Sequence, residues 1–200
     1  MAVIDPIAAP AGVDRRDQLL EQALVVLSRR SYADTRVEDI CSCAGVSRAT
    51  FYRYFEGKDQ LFDALVDRMM TEVLETAEHL GAVTPDAAGR ATLARWLADL
   101  VSITERWGPL VDEVNMLRAG NPQARARAVV LTGRFADLLG ERFAAGGVSD
   151  VDPRTAALAI IAMTDRTAHQ VRTWHVDLDR TAVVDALATL AMRMLHPAQK

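Results

Sequence analysis

Residues 37–62 read VEDICSCAGVSRATFYRYFEGKDQLF, and this stretch decides the fold. It contains two short helical patterns on either side of a turn at Ala44-Gly45-Val46. Gly45 stands where the first helix must turn back, which is a position that favours a positive φ. Ser47 is suited to cap the second helix, and the apolar residues are spaced to pack three short helices around one small core. This arrangement is typical of a helix-turn-helix.

The outer side of the second helix carries side chains that suit DNA. Arginine pairs with guanine edges, threonine contacts a thymine methyl group or a phosphate, and a tyrosine hydroxyl usually bonds a phosphate. A helix start capped by serine faces an anion well, and a lysine at the next helix start is placed to bind the DNA backbone. The predicted major-groove helix therefore contributes Ser47, Arg48, Thr50, Tyr52 and Arg53, followed by Lys58.

Two residues just before this motif are predicted to join the DNA contacts. The run Thr35-Arg36-Val37-Glu38 matches a capping box, in which Thr35 caps the first helix of the pair. Arg36 lies beside that cap and adds a cation that can meet a phosphate. We therefore include Thr35 and Arg36 in the predicted interface.

Charge is distributed unevenly along the chain. The net charge of −4 argues against a protein that coats DNA non-specifically. Between residues 44 and 58 there is nevertheless a local excess of two positive charges, which comes from Arg48, Arg53 and Lys58 against Glu56. A small basic face on an acidic body favours selective docking in one orientation.

The sequence contains no pattern of a catalytic or metal site. The four histidines lack metal-ligand spacing, and neither a Ser-His-Asp set nor a glycine-rich phosphate loop can be inferred. Cys41 and Cys43 are i and i+2 on a predicted helix, so they point to different sides and form a poor disulfide pair. We predict no catalytic residue, no metal site, no cofactor and no enzymatic activity.

Helix start and stop signals divide the chain into helices. Proline follows a capping residue at Thr84-Pro85, Asn121-Pro122 and Asp152-Pro153, which predicts three helix starts. Gly108-Pro109 predicts a break after Trp107. No segment alternates with period two, so we predict an all-α fold of about nine helices. No signal-like or membrane-spanning apolar run occurs, and we expect a cytoplasmic protein without membrane contact.

The run AGVSRATFYRYF over residues 44–55, followed by Lys58 and Leu61-Phe62, resembles the TetR family of bacterial transcriptional regulators. The layout of the later helices is similar to the ethionamide-resistance-type regulators of actinobacteria. The resemblance implies a homodimer with a three-helix DNA-binding head and a six-helix body that binds a small effector. By position in the family motif, it adds Ala49 and Tyr54 to the DNA contacts.

The chain is then expected to have three parts. Residues 1–13 form a flexible tail, residues 14–58 form the helix-turn-helix DNA-binding head, and residues 59–196 form the effector-binding and dimerisation bundle. The predicted eighth helix runs from Pro153 to about Trp174, and the ninth follows Asp177 or Asp179 and ends near Leu195. Both carry many small residues, which let helices approach closely, so we expect the homodimer to form through helices eight and nine.

Large apolar residues at helical spacing mark the inner faces of the predicted body. Core packing is the commoner explanation for each of them, but as a set they can enclose an apolar cavity. Asp165 and Arg166 follow an apolar turn, so we expect a buried ionic contact that serves either a ligand or the dimer. The predicted ligand contacts are Trp96, Leu100, Trp107, Leu110, Asn115, Met116, Phe135, Leu139, Met163 and Asp165.

Three functional hypotheses follow. The first is a repressor that binds a palindromic operator as a homodimer and is released by a small apolar effector. In it, the ligand shifts the fourth helix, which joins the head at Lys58, and so changes the separation of the two heads. The second is a DNA-binding regulator whose body is filled and which a protein partner controls, or which acts constitutively. The third, an enzyme or carrier with an incidental helix-turn-helix, lacks any catalytic pattern to support it.

Overall fold

A computed structural model describes residues 14–120, 122–174 and 176–197 of the chain, so the tail predicted over 1–13 and the cap predicted at Asn121 lie outside it. The described residues form eight helices and no β-strand, which confirms the all-α prediction. Within this part of the chain, no helix combines the length and the apolar character needed to cross a membrane. The helices are α1 (Arg15–Leu27), α2 (Val37–Ala44), α3 (Arg48–Tyr52), α4 (Lys58–His79), α5 (Ala87–Gly120), α6 (Pro122–Ala145), α7 (Pro153–Trp174) and α8 (Arg180–Leu195).

The helices divide into two compact units. The first unit comprises the described residues up to Met69 together with Pro109–Gly120. The second comprises Met70–Gly108 and the described residues after Gly120. Two of the three boundaries fall inside helices, so α4 and α5 each contribute residues to both units.

The first unit has a core built by its three N-terminal helices. α1 packs against α2, and α2 packs against α3. Leu19 and Phe51 are 0% exposed and Ile40 is 2% exposed, so each of the three helices buries at least one large apolar side chain. Burial of these side chains provides the stabilisation that such short helices lack on their own.

The second unit is a helical bundle in which α6 packs against α7 and α7 packs against α8. Its core contains large side chains such as Leu97, Phe143 and Ile160. Small residues lie between them, and Ala157 and Ala188 are both fully buried. Alanine at these positions allows the helix backbones to approach closely.

Two of the three predicted proline starts are confirmed, because α6 begins at Pro122 and α7 begins at Pro153. The third is shifted, since α5 begins at Ala87 rather than at Pro85. The carboxylate of Asp86 accepts the Gly89 backbone N–H at 2.8 Å, and the Thr84 hydroxyl donates to the same carboxylate oxygen at 2.8 Å. These hydrogen bonds lower the pKa of Asp86, and Asp86 therefore has the capping role that we predicted for Thr84.

The predicted break at Gly108-Pro109 is wrong, because α5 continues through Pro109. A proline inside a helix costs about 3 kcal/mol. Trp107 is 1% exposed and Leu110 is 0% exposed on either side of it. Full burial of each such side chain contributes about 1.5–3 kcal/mol, so packing outweighs the local penalty. The described residues therefore form eight helices, close to the predicted number of about nine.

Replacement of the internal proline tests the continuity of α5. Pro109→Ala restores an N–H donor and removes the ring clash, so we expect the free energy of unfolding to rise by about 1–3 kcal/mol in urea denaturation.

The control is Gly133→Ala in α6, where an added Cβ meets Arg154 Nη2 at an ordinary 3.5 Å. This variant changes helix propensity alone, and we expect a gain of about 0.5–1 kcal/mol. If Pro109→Ala left stability unchanged or reduced it while Gly133→Ala stabilised the protein, α5 would be broken at residue 109.

Candidate nucleic-acid interface

The turn between α2 and α3 fixes the start of the candidate recognition helix. Gly45 adopts φ 64° and ψ 33°, in the left-handed region that strains other residues. The Val46 N–H donates to the carbonyl of Cys41 at 3.0 Å, which closes the end of α2. Ser47 Oγ then accepts the backbone N–H of Thr50 at 3.1 Å. Both the glycine turn and the serine cap are as the sequence predicts.

α3 has one buried face and one exposed face. Phe51 is 0% exposed and Phe55, just beyond the helix, is 2% exposed, and their ring centroids are 5.8 Å apart. Tyr52 is 47% exposed on the other side. Ser47, Arg48, Ala49 and Arg53 are exposed with it, whereas Thr50 and Tyr54 are half-buried.

The two arginines of this region lie against tyrosine rings. The guanidinium carbon of Arg48 is 5.8 Å from the centroid of Tyr52, and Arg48 Nη2 donates to the Tyr52 hydroxyl at 3.4 Å. The guanidinium carbon of Arg53 is 5.6 Å from the centroid of Tyr54. Cation–π contacts of this kind restrict where the cations point. The exposed face thus presents two arginines that are already oriented.

Arg48 also forms an ion pair with Glu38 of α2. The hydrogen bond with Tyr52, and then the Glu38 carboxylate, raise the pKa of Arg48. Our sequence prediction did not include Glu38, because its distance of ten residues from Arg48 corresponds to no helical period. Only the return of the chain at Gly45 brings the two side chains together.

The structure leaves Arg36 available for the predicted phosphate contact but excludes Thr35 from the DNA contacts. Arg36 is exposed, and its backbone N–H donates to Asp39 Oδ2 at 2.9 Å, so Asp39 rather than Thr35 caps the start of α2. Thr35 is 3% exposed, and its hydroxyl donates to the carbonyl of Ser31 at 2.9 Å. A buried hydroxyl that is already bonded cannot reach DNA, which removes Thr35 from the predicted contacts.

Lys58, at the first position of α4, binds backbone carbonyls. Its Nζ donates to the carbonyls of Tyr32 at 2.9 Å, Thr35 at 3.1 Å and Ala33 at 3.5 Å. The same ammonium lies 4.4 Å from the centroid of the Tyr32 ring. An ammonium has three donors, so these carbonyls engage its full hydrogen-bonding capacity. Lys58 therefore joins the start of α4 to the segment between α1 and α2.

Tyr32 extends this junction. Its ring packs on Phe62 with centroids 4.5 Å apart, and its hydroxyl donates to the carboxylate of Asp59. Burial, and then the Asp59 carboxylate, raise the pKa of the Tyr32 hydroxyl. The hydroxyl therefore stays protonated and continues to donate at neutral pH.

A buried glutamine on α1 fixes the end of α2, and the sequence prediction did not identify it. Gln18 is 8% exposed, and its Nε2 donates to the carbonyl of Ala44 at 3.0 Å. Arg15 Nη1 donates in turn to Gln18 Oε1 at 2.7 Å. The signal in the sequence is a polar residue directly before the apolar pair Leu19-Leu20 of α1.

The residues predicted to contact a ligand differ in how deeply they are buried. Six of them are at most 5% exposed and belong to packed cores: Trp96, Leu100, Trp107, Leu110, Phe135 and Leu139. Met163 is half-buried, while Asn115, Met116 and Asp165 are exposed. Arg166 is exposed as well, so neither side chain of the ionic contact expected at Asp165 and Arg166 is buried.

The two core tryptophans both bond α4 within the second unit. Trp96 Nε1 donates to the carbonyl of Thr76 at 3.0 Å. Trp107 Nε1 donates to Glu72 Oε2 at 2.8 Å. Their indole N–H groups are therefore satisfied by the protein, and the two rings serve to hold α5 against α4.

Among the concave regions formed by the described residues of the second unit, two lie between helices that carry predicted ligand residues. The first is a polar groove of about 650 Å³ between α4 and α5, and Trp96 is the predicted ligand residue that lines it. Its charged residues are Glu72, Glu75, His79, Arg95 and Asp99. The second is an apolar slot of about 260 Å³ between α5, α7 and α8. Its lining residues are Val101, Glu105, Thr164, Thr167, Ala168, Val171, Arg172, Leu178, Arg180, Val183 and Leu187.

Two arginines at the rim of the slot contact α5. Arg180 Nη2 donates to the carbonyl of Ala98 at 3.0 Å and to the Ser102 hydroxyl. Arg172 Nη2 lies 3.4 Å from the carbonyl of Gly108. A Cβ on Gly108 would come within 2.2 Å of Arg172 Nη1, so a larger residue there would displace the guanidinium. Arg180 also lies 3.8 Å from Glu105, which lines the slot, so the slot is apolar inside and carries both signs of charge at its edge.

Comparison with known proteins identifies the N-terminal region. Residues 19–65 match the family described as bacterial regulatory proteins, tetR family. The HTH-type transcriptional regulator EthR of Mycobacterium tuberculosis is 40% identical over 65 residues, which span 32% of this chain and 30% of EthR. The alignment thus covers less than a third of that relative. An uncharacterized HTH-type regulator of the same organism is 29% identical over 160 residues, covering 74% of this chain and 77% of its own.

Solved structures extend the similarity to the whole fold. A TetR-like transcriptional regulator from Rhodococcus sp. RHA1 is 25% identical with a TM-score of 0.64, covering 96% of this chain and 100% of that chain. The regulator FadR from Bacillus subtilis, solved with stearoyl-CoA, is 20% identical with a TM-score of 0.71, covering 90% of this chain and 99% of that chain. The second likeness concerns the fold alone.

The role of Lys58 leads to a stability prediction. Lys58→Met keeps the length of the side chain but leaves three carbonyls without their donor, so we expect the free energy of unfolding to fall by about 1.5–3 kcal/mol in urea denaturation.

Arg53→Met is the matched control, because it also replaces one cation of the candidate interface by methionine, here at an exposed position. Its cation–π contact is exposed, and we expect a loss of less than about 1 kcal/mol. Equal stabilities of the two variants would show that the Lys58 ammonium does not hold the junction.

Proposed function

The chain belongs to the TetR family of bacterial regulatory proteins, and from this premise we propose that it is a transcriptional repressor controlled by a small apolar effector. The observation that carries the proposal is the exposed face of α3. Arg48, Tyr52 and Arg53 lie on it, opposite the buried Phe51. The role is regulatory rather than catalytic, and the protein acts in the cytoplasm, where its DNA is found.

In this proposal, α3 enters the major groove and the side chains around it position the protein. Arg48 reads a guanine edge, and Ala49 contacts a thymine methyl group. Tyr52, Arg53 and Arg36 bond phosphates, which fix register without reading sequence. Four further predicted contacts lie at the edge of this surface: Ser47, Thr50, Tyr54 and Lys58. Those whose side chains already form hydrogen bonds within the protein act mainly by keeping the surface in shape.

We propose that the protein binds DNA as a homodimer through α7 and α8. Of the nine large apolar side chains that are exposed among the described residues, five lie between Leu158 and Leu190. Leu190 is 52% exposed and Leu158 is 36% exposed, and the exposed alanines Ala162 and Ala186 would allow close helix approach. A four-helix interface between two copies would cover this surface. Two copies of α3 would then read half-sites about 34 Å apart in a palindromic operator.

The apolar slot is the better candidate for the effector. Typical ligand pockets measure roughly 300–1,000 Å³ and are mainly apolar. The slot, at about 260 Å³, is apolar but lies just below this range, so it suits only a very small ligand. The groove between α4 and α5 is larger, but charged residues line much of it. The buried ligand candidates are packed core, apart from Trp96, which borders the groove.

A connected series of contacts links the slot to α4. Val101 and Glu105 line the slot from α5. Trp107, further along α5, donates to Glu72 of α4, and α4 is one continuous helix from Lys58 to His79. A ligand that separates α5 from α7 therefore acts on the helix that begins at the Lys58 junction. For release of DNA, the effector must bind the form that does not fit DNA more tightly.

The second candidate is a regulator whose body is filled and which a protein partner controls, or which acts constitutively. The packing of six predicted ligand residues into solid core favours it. The two candidates differ in whether any small molecule binds the second unit.

Substitutions on the exposed face test the dimer. Leu158→Arg and Leu190→Arg place charges where a second copy would pack, so we expect monomers in sedimentation equilibrium and a loss of operator affinity of at least tenfold. Gel shifts would use the DNA upstream of the protein's own gene. Val129→Arg on α6 is the control, because Val129 is 62% exposed outside α7 and α8. Dimers that survive both leucine substitutions would contradict this interface.

Filling the slot tests the effector site. Ala168→Phe places a ring in the slot, so we expect compounds from a library of apolar small molecules to raise the melting temperature of wild type but not of this variant. The same compounds should release wild type, and not the variant, from DNA. Thr92→Phe is the control, because Thr92 lines the groove and not the slot.

Two results would count against the slot. A response of Ala168→Phe equal to that of wild type would place the effector elsewhere. A wild-type protein that responds to no compound would favour the filled body.

A further inference from the structure

Glu38 and Arg48 form an ion pair on the surface that carries the candidate DNA contacts. Glu38 is the second residue of α2, and Arg48 is the first residue of α3. Their carboxylate and guanidinium are in direct contact, although the side chains are 52% and 60% exposed. Arg48 Nη2 is also within 3.4 Å of the Tyr52 hydroxyl. A carboxylate therefore restrains the arginine that is best placed to read a base.

The pair contributes little to the stability of the fold. Ion pairs between exposed side chains are solvated and screened, and many have no measurable effect on folding. α2 is capped by Asp39 and α3 by Ser47, so neither helix depends on the pair for its start. A negative charge at this position is also unfavourable near DNA phosphates. Its effect is therefore to be sought in binding rather than in folding.

We propose that Glu38 determines specificity by keeping Arg48 from non-specific phosphate contacts and by reading a base next to the one that Arg48 reads. This inference rests on the proposed binding of DNA by α3. It assigns to Glu38 a role on DNA that is separate from the effector and from the dimer.

The charges on the surface support the first half of this role. Lys58 is bonded to three carbonyls, and Arg48 is paired with Glu38. Arg36 and Arg53 form no ion pair within the described part of the chain. Few cations of this surface are therefore free to bind the phosphates of unrelated DNA. Each cation released to a phosphate steepens the dependence of log K on log salt by about 0.9.

The chemistry of base edges supports the second half. Arginine donates to O6 and N7 of guanine, whereas a glutamate carboxylate accepts from the N4 amino group of cytosine. Because the two side chains touch, they can reach neighbouring base pairs without separating. At such a site each charge finds a base partner. On unrelated DNA, Arg48 can bind a phosphate only by leaving Glu38 unpaired beside the backbone.

Glu38→Gln separates this role from simple charge. A glutamine keeps the length of the side chain, cannot hold the guanidinium as an ion pair, and favours adenine N6 and N7 over cytosine N4. The control is Glu21→Gln, which removes the same charge from another Glu–Arg pair of the first unit, where Glu21 Oε1 is 2.9 Å from Arg68. A third variant, Arg48→Gln, and its combination with Glu38→Gln complete a double-mutant cycle.

The first measurement is the affinity for a duplex of arbitrary sequence over a range of salt concentrations. We expect Glu38→Gln to steepen the salt dependence by about 0.9, the effect of one additional phosphate contact. Glu21→Gln should leave it unchanged. In the Arg48→Gln background, Glu38→Gln should have no such effect, because no cation remains to be released. An equal steepening in that background would show direct repulsion of DNA by Glu38 and would overturn the pairing mechanism.

The second measurement is selection from a randomised duplex library, which needs no known operator. We expect wild type to enrich cytosine at one position of each half-site, beside the guanine read by Arg48. Glu38→Gln should replace that cytosine with adenine and keep the other positions. Enrichment of one and the same sequence by wild type and Glu38→Gln would refute a reading role for Glu38. Failure of wild type to enrich any sequence would instead refute the proposed function itself.

Discussion

The burial of Phe51 is the constraint on which the candidate interface depends. α3 has only five residues, far fewer than the roughly 12–15 that an isolated helix needs for stability in water. It forms because Phe51 is fully buried and because the Ser47 hydroxyl caps its first turn. With Phe51 buried, Arg48 and Tyr52, which are four residues apart, lie next to each other on the exposed part of the surface of α3. The direction of one ring thus sets the direction of the exposed cations.

Polar bonds from two longer helices support that small core. Gln18 of α1 donates to the last residue of α2, and Lys58 of α4 donates to the segment that precedes α2. Arg68 of α4 is 2.9 Å from Glu21 of α1, which adds an ion pair between the two supporting helices. A displacement of α4 would therefore reach the start of α2 through hydrogen bonds to its backbone. In the proposed function, this coupling would carry an effector's action on α4 to the candidate interface.

The sequence predicted what local chemistry decides and missed what the tertiary fold decides. Gly45 and Ser47 could be placed because a left-handed turn and a helix cap each restrict the residue type. Pro109 was misjudged because its local penalty is outweighed by burial, which no single window of sequence reveals. The same limit applies to the predicted ligand residues, since apolar side chains at helical spacing look alike in a core and in a cavity. Contacts such as Glu38 with Arg48, and Lys58 with three carbonyls, become visible only when the chain has turned back on itself.

The most direct test of the account is amide hydrogen exchange of the full-length protein, with and without a duplex enriched from a randomised library. If α3 is the recognition helix, DNA should slow exchange across residues 36–54. DNA should not slow amide exchange at the residues that line the apolar slot of the second unit. Protection confined to the second unit, or none at all between residues 36 and 54 with DNA bound, would contradict the assignment of α3.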